Sequence, residues 1–150
     1  MKRQEGAFVD AIEKLLAIEE IKQTKARYFR YMDTKDRNGL ASVFSRDAVL
    51  DHREAEMDEV VAGRDAIADF ITGVLVGVTT VHHGHMMEVD VTSTTTAHAI
   101  TAMEDELWWQ PGGPTAWMHG YGHYHEDYVY EDGAWRISLN RLTRLRHDAR

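Results

Sequence analysis

The chain contains no cysteine, which removes disulfide frameworks, thiolate metal sites and cysteine nucleophiles together and leaves nothing that demands an oxidising compartment. Long apolar runs are missing too. No stretch approaches the roughly 18 residues of a membrane span, and Met1-Lys2-Arg3-Gln4-Glu5-Gly6 runs into Asp10 and Glu13 without a signal-peptide core. A soluble, cytoplasmic protein with no membrane partner is expected. Positive charge is in short supply: 17 Lys and Arg stand against 25 Asp and Glu, for a formal charge of −8, and the basic residues are scattered. A phosphate backbone would be repelled, so nucleic acid is not an expected partner.

At 150 residues the chain can bury a core without a staple, and one domain over 1–150 is expected. Apolar Ile12, Leu15, Ile18, Ile21, Tyr28 and Met32 recur every three or four positions and predict an amphipathic helix over about 8–34, with Lys25 the one blemish in its stripe. A short helix over Gly39–Phe44, a strand Ala48–Asp51, a polar run Arg53–Asp58, a strand and turn Glu59–Gly63 and a helix Arg64–Val74 follow. The second half changes period. Val81–Thr92, Ala97–Trp109, Trp117–Tyr130 and Trp135–Leu145 read as strands, with Pro111-Gly112-Gly113-Pro114 and Asp132-Gly133 as hairpin turns. Helices followed by a long antiparallel sheet predict an α+β fold in which the sheet curls round the first helix.

Asp33 falls in the last turn of that helix, where the macrodipole disfavours a carboxylate and a compensating partner is required; Arg30, one turn back, is the local candidate. Tyr28 flanks the same stripe, about 140° away round the helix. Alternation on Ala97–Trp109 sets Ala97, Ala99, Thr101, Met103, Asp105, Leu107 and Trp109 on one face. Asp105 is then a carboxylate among apolar neighbours, which needs a hydrogen-bond or charge partner. Arg144 is a candidate, but parity places Trp135, Ile137 and Leu139 on the apolar face of the last strand and Arg136, Ser138, Asn140 and Arg144 opposite, unless a bulge changes the phase. Six of nine histidines lie in two tracts, His82/His83/His85 and His119/His123/His125. A multi-histidine metal site across the sheet is one reading of them, but no glutamate follows at the offset of metal-binding barrels, and no metal is expected.

The runs Ile18-Glu19-Glu20-Ile21-Lys22, Tyr28-Phe29-Arg30-Tyr31-Met32-Asp33, Gly39-Leu40-Ala41-Ser42-Val43-Phe44, Val81-His82-His83-Gly84-His85, Met103-Glu104-Asp105 and Asp132-Gly133-Ala134-Trp135-Arg136-Ile137 resemble the SnoaL-like branch of the nuclear transport factor 2-like superfamily. Within it the chain is most similar to bile-acid 7α-dehydratase, and more distantly to scytalone dehydratase and hexachlorocyclohexane dehydrochlorinase. The resemblance implies a cone-shaped α+β barrel, no cofactor, and elimination chemistry by an Asp–His pair. It carries the aspartate onto Asp33 and the histidine onto His82, with Tyr28, Asp105 and Arg144 as further catalytic positions. Two departures bear on the substrate: Met86-Met87 replaces a proline-containing turn, and Trp108-Trp109 adds bulk near the pocket mouth.

The expected function is a cofactor-independent lyase acting on a hydrophobic cyclic, steroid-like or polyketide-like substrate. Met103, Trp109 and His123 are expected to contact that substrate, and a homo-oligomer, a trimer above all, is expected. An isomerase or cyclase on the same fold, and a non-catalytic binding module, are the alternatives. An Asp33–His82 contact discriminates, because a pure binding module has no reason to maintain it.

Overall fold

The computed structural model describes residues 9–55, 58, 60–113 and 115–150. Phe8, Glu59 and Pro114, which belong to the expected first helix, a strand and a turn, lie outside the described residues, as do Met1–Gly6 and part of the polar run.

The first helix, α1 (Ala11–Asp33), starts at Asp10, whose carboxylate accepts from the backbone N–H groups of Ile12 and Glu13, both at 2.9 Å. Its buried stripe runs through Ala17, Ile21, Thr24, Lys25, Tyr28, Phe29 and Met32. The stripe therefore starts later than its periodicity implies, because Ile12 and Leu15 face solvent. Lys25 belongs inside it: the ammonium donates to Glu126 at 2.8 Å and sits 3.4 Å from the centroid of the Tyr124 ring. An ion pair and an aromatic face together meet the requirement that a buried charge be partnered.

Asp36 caps α2 (Arg37–Val43) by accepting from the Gly39 N–H, and β1 (Phe44–Asp51) follows directly. A 3₁₀ turn (Arg53–Ala55) and β2 (Val60–Ala62) lead into α3 (Arg64–Val74), then β3 (Thr79–Val91), β4 (Thr96–Trp108), β5 (Trp117–Glu131) and β6 (Ala134–Ala149). Asp132 and Gly133 both adopt positive φ, 50° and 79°, the conformation a two-residue hairpin needs to match strand twist. The six strands form one open sheet in the order β2-β1-β6-β5-β4-β3. Hairpins make β3 to β6 antiparallel, whereas β1 pairs parallel with β6, so the sheet is mixed.

One face of the sheet wraps α1. On β4 the alternation is strict, with Ala97, Ala99, Thr101, Met103, Asp105 and Leu107 all buried; Trp109 lies past the end of the strand. On β6 the alternation breaks. Tyr128 pairs with Ile137 but Asp127 with Leu139, so Ser138 is an extra residue, and Leu145 is a second one between Arg144 and Arg146. The Ser138 bulge inverts the phase: Trp135 and Ile137 face inward before it, and Asn140 and Leu142 after it. Leu139 leaves the inner face and Arg144 joins it, reversing the uniform parity read from sequence. No helix among the described residues is long and apolar enough to cross a membrane.

Candidate functional site

The end of α1 delivers Asp33 to β3. Its Oδ1 lies 2.6 Å from Nδ1 of His82 and accepts from the Thr80 hydroxyl at 2.9 Å, while Oδ2 accepts from the His82 backbone N–H at 2.9 Å. These donors provide the compensation that a carboxylate at a helix C-terminus needs. Arg30, the local alternative, packs over the Tyr31 ring instead. Burial works to raise the Asp33 carboxyl, but the bonds from the ring and backbone of His82, its charge and the Thr80 hydroxyl outweigh it and hold the group below the usual carboxylate range. Asp33 is thus ionised at neutral pH and can only accept. The shared proton must then reside on His82 Nδ1, and in the neutral ring this leaves the lone pair on Nε2. The ring stacks against Phe29 at 17° between planes, with its side chain 6% exposed.

His82 and Asp105 are direct partners in the β3–β4 register, and His82 Nε2 lies 3.7 Å from Asp105 Oδ2. Arg144 donates to both Asp105 oxygens, at 2.7 and 2.9 Å, in a bidentate pair, and its Nη1 lies 3.8 Å from the Met103 sulfur. Gly120, opposite Asp105 on β5, makes room for this pair: a Cβ there would run into the Arg144 guanidinium and the Asp105 carboxylate.

Above these groups lies a cavity of about 120 Å³ lined by Tyr28, His52, His82, Asp105, Tyr124 and Arg144, with Met32, Leu50 and Leu107 among its apolar walls. Half-exposed Ala55 and Leu75 and exposed Val74 mark its mouth. Burial raises the Tyr28 hydroxyl above its ordinary range, so it stays a protonated donor. A larger groove of about 470 Å³ runs between α1 and β3 past Lys22, Ala26 and Met86, but Asp33, His82, Asp105 and Arg144 are not part of it.

Behind the cavity is a polar network that periodicity and motif reading did not foresee. Glu126 accepts from Lys25 at 2.8 Å, from the Asn140 amide at 2.6 Å and from the Tyr128 hydroxyl at 2.9 Å, and Asn140 Oδ1 lies 2.6 Å from His52 Nε2. Burial, against the pull of Glu126, lowers the Lys25 ammonium to about 8. The one sequence signal for this network was Lys25 interrupting an apolar stripe.

None of the three expected substrate contacts is among the residues lining this cavity. His123 belongs to the outward-facing set of β5, across the sheet from the cavity, since Gly122 and Tyr124 on either side take the buried positions. Trp109 lines a separate depression with Val76 and Val78. Met103 is buried beside Arg144. The two histidine tracts do approach across β4, where Glu104 lies 3.7 Å from His83, 3.7 Å from His85 and 3.3 Å from His119. Among the described residues no three such side chains are arranged to hold a metal ion.

Residues 13–141 match the model of the SnoaL-like domain family. The fold superposes on a scytalone dehydratase-like protein of Novosphingobium aromaticivorans (20% identity, 94% of this chain and 92% of that one, TM-score 0.82). It also superposes on a Mycobacterium tuberculosis protein of unknown function (25% identity, 94% and 79%, TM-score 0.78). A third match is a hexachlorocyclohexane dehydrochlorinase from Novosphingobium barchaimii (16% identity, 94% of each chain, TM-score 0.80).

Proposed function

Because the chain belongs to the SnoaL-like domain family, we propose that it is a cofactor-independent lyase that eliminates a small leaving group from a hydrophobic ring. The observation that carries this reading is the 2.6 Å contact between Asp33 and His82, which fixes the tautomer so that the free Nε2 lone pair belongs to the cavity. That nitrogen takes a proton from a ring carbon, the C–H electron pair becomes the new double bond, and the leaving group departs with its bonding pair beside the Arg144–Asp105 pair. Positive charge arriving on the imidazole is met by Asp33 on one side and Asp105 on the other. Tyr28 donates a hydrogen bond to the substrate oxygen that gains charge. General base action of this kind contributes roughly 10²- to 10⁴-fold, and oriented dipoles in a dry pocket add to it.

The names of the structural neighbours, a dehydratase-like protein and a dehydrochlorinase, support elimination on cyclic compounds. The cavity volume of about 120 Å³ suits one ring, since an engineered cavity of about 150 Å³ takes benzene. A substrate as large as the bile-acid resemblance implies would extend through the mouth at Ala55 and Leu75. We further propose a cytoplasmic homotrimer.

The same dyad can return the proton at another carbon, so an isomerase or cyclase is the rival; product analysis separates the two. Assaying halogenated and hydroxylated alicyclic rings with native protein, His82→Ala and Asp33→Asn tests the reading. Turnover lost in both variants, with folding intact, supports it. Equal turnover in all three removes Asp33 and His82 from the chemistry, and none on any ring alongside ordinary ligand binding leaves a binding module.

A further inference from the structure

The position of one proton at the back of the cavity follows from the buried network. Glu126 is surrounded by donors: Lys25 and the Asn140 amide on Oε1, the Tyr128 hydroxyl on Oε2. Turning Asn140 the other way would set its carbonyl oxygen against the carboxylate, with no hydrogen between them. Its NH₂ therefore faces Glu126 and its oxygen faces His52, which obliges His52 Nε2 to carry a hydrogen and donate across the 2.6 Å contact. Burial, aided by the nearby Lys25 and Arg144 charges, pushes the His52 imidazole down to about 4 despite the Asn140 bond. The ring is neutral at physiological pH.

A neutral imidazole with hydrogen on Nε2 has a bare Nδ1. That atom has no hydrogen-bond partner among the described residues, and the ring lines the cavity wall together with His82. The two histidines are thus held in opposite tautomers, His82 by Asp33 and His52 by Asn140. The other polar groups of the lining are Tyr28 and Tyr124, hydroxyls protonated by burial, and the Asp105–Arg144 pair, whose carboxylate is occupied by the guanidinium.

We propose that His52 is a substrate-selecting hydrogen-bond acceptor, its bare Nδ1 receiving the O–H of a hydroxylated ring seated in the cavity. This rests on reading the cavity as the substrate site and names the class of molecule it takes, a single small ring bearing a hydroxyl donor. A site built to accept a donor discriminates by the unpaired polar atom left behind when the donor is missing.

The test uses binding, so that it stands apart from turnover. Phenol and toluene, near-isosteric with and without the donor, are titrated into the native protein carrying ¹⁵N-histidine. The expected result is that phenol binds at least about fivefold more tightly, in line with one net hydrogen bond, and moves the Nδ1 resonance of His52 while Nε2 stays protonated. In His52→Phe the preference vanishes while toluene still binds; should that variant fail to fold, the nitrogen resonances of the native protein decide alone. Equal affinity for the two rings, a shift at His82 in place of His52, no binding of either ring, or a free-state spectrum with hydrogen on Nδ1 would each overturn the proposal. Loss of the lyase reading through active Asp33 and His82 variants would leave these binding results unchanged.

Discussion

The Nε2 atom of His82 lies 3.7 Å from Oδ2 of Asp105, its direct partner in the β3–β4 register, so the ring is flanked by a carboxylate at each nitrogen. The arrangement favours the imidazolium that forms once a proton is accepted. His82→Ala should lower kcat by roughly 10²- to 10⁴-fold, and Asp33→Asn, which can no longer hold the tautomer, should also lower it strongly. Steady-state kinetics on the first accepted substrate will show this, and EDTA should leave native turnover unchanged. Activity lost to chelator and restored by zinc would transfer the chemistry to the histidine tracts.

Gly120 gives the Asp105–Arg144 pair its space. Gly120→Ala forces that pair apart or displaces β5, and overpacking of this kind costs about 1–3 kcal/mol. Urea denaturation should register the loss, and ring binding should weaken with it. A variant as stable as the native protein, with binding intact, would mean that the strands shift freely.

The Lys25–Glu126 pair is fully enclosed. Lys25→Met removes one charge and strands the other, which is expected to cost about 3–5 kcal/mol, whereas Lys25→Met with Glu126→Gln should recover much of it. Comparing the two denaturation midpoints separates the value of the pair from the penalty of breaking it.

His52 predicts a window of acid sensitivity. Its folded value of about 4 lies below the ordinary 6.5, so between those pH values the unfolded chain binds a proton that the folded chain refuses. Stability therefore falls as pH drops from 6.5 to about 4, by roughly 3 kcal/mol at about 1.4 kcal/mol per unit. Asp33, held below 3.8, adds a further loss only at lower pH. Thermal melts of native protein and His52→Gln across pH 7 to 4 should show a flatter profile in the variant; parallel profiles would count against a neutral buried ring.

Exposed apolar side chains include Ile12, Leu15 and Leu16 near the start of α1 and Met86 on β3, the last 92% exposed. Burial of such residues between copies fits the proposed trimer. Light scattering at micromolar concentrations should give three chain masses, and a monomer mass throughout would contradict it.

Local patterns carried much of the architecture. The α3 boundaries, the β4 face and the Asp132-Gly133 turn follow from periodicity and turn chemistry. The direction of Arg144 does not, because a one-residue bulge at Ser138 has no compositional signature and reverses the side chains from Leu139 to Arg144. Lys25 looked like a flaw because its partner lies 101 residues away, and His52 was invisible because its tautomer is fixed by a chain of three residues, Asn140, Glu126 and Lys25, from two strands and a helix. Pairing of Asp33 with His82 came from resemblance, since neither residue reveals the other by spacing.

Strand β6 occupies the middle of the sheet, between β1 and β5, yet it is synthesised after every other strand. Until it emerges, β1 has β2 alone as a neighbour, and Arg144 has not yet reached Asp105. The parallel β1–β6 seam joins Phe44 to Ile137, a long loop to close before any contact rewards it. Folding should consequently be slow for a chain of this size, with β1 and β5 left as open edges during translation and prone to mispairing with other copies. The cavity, which takes Leu142 and Arg144 from β6, cannot be complete before that strand docks.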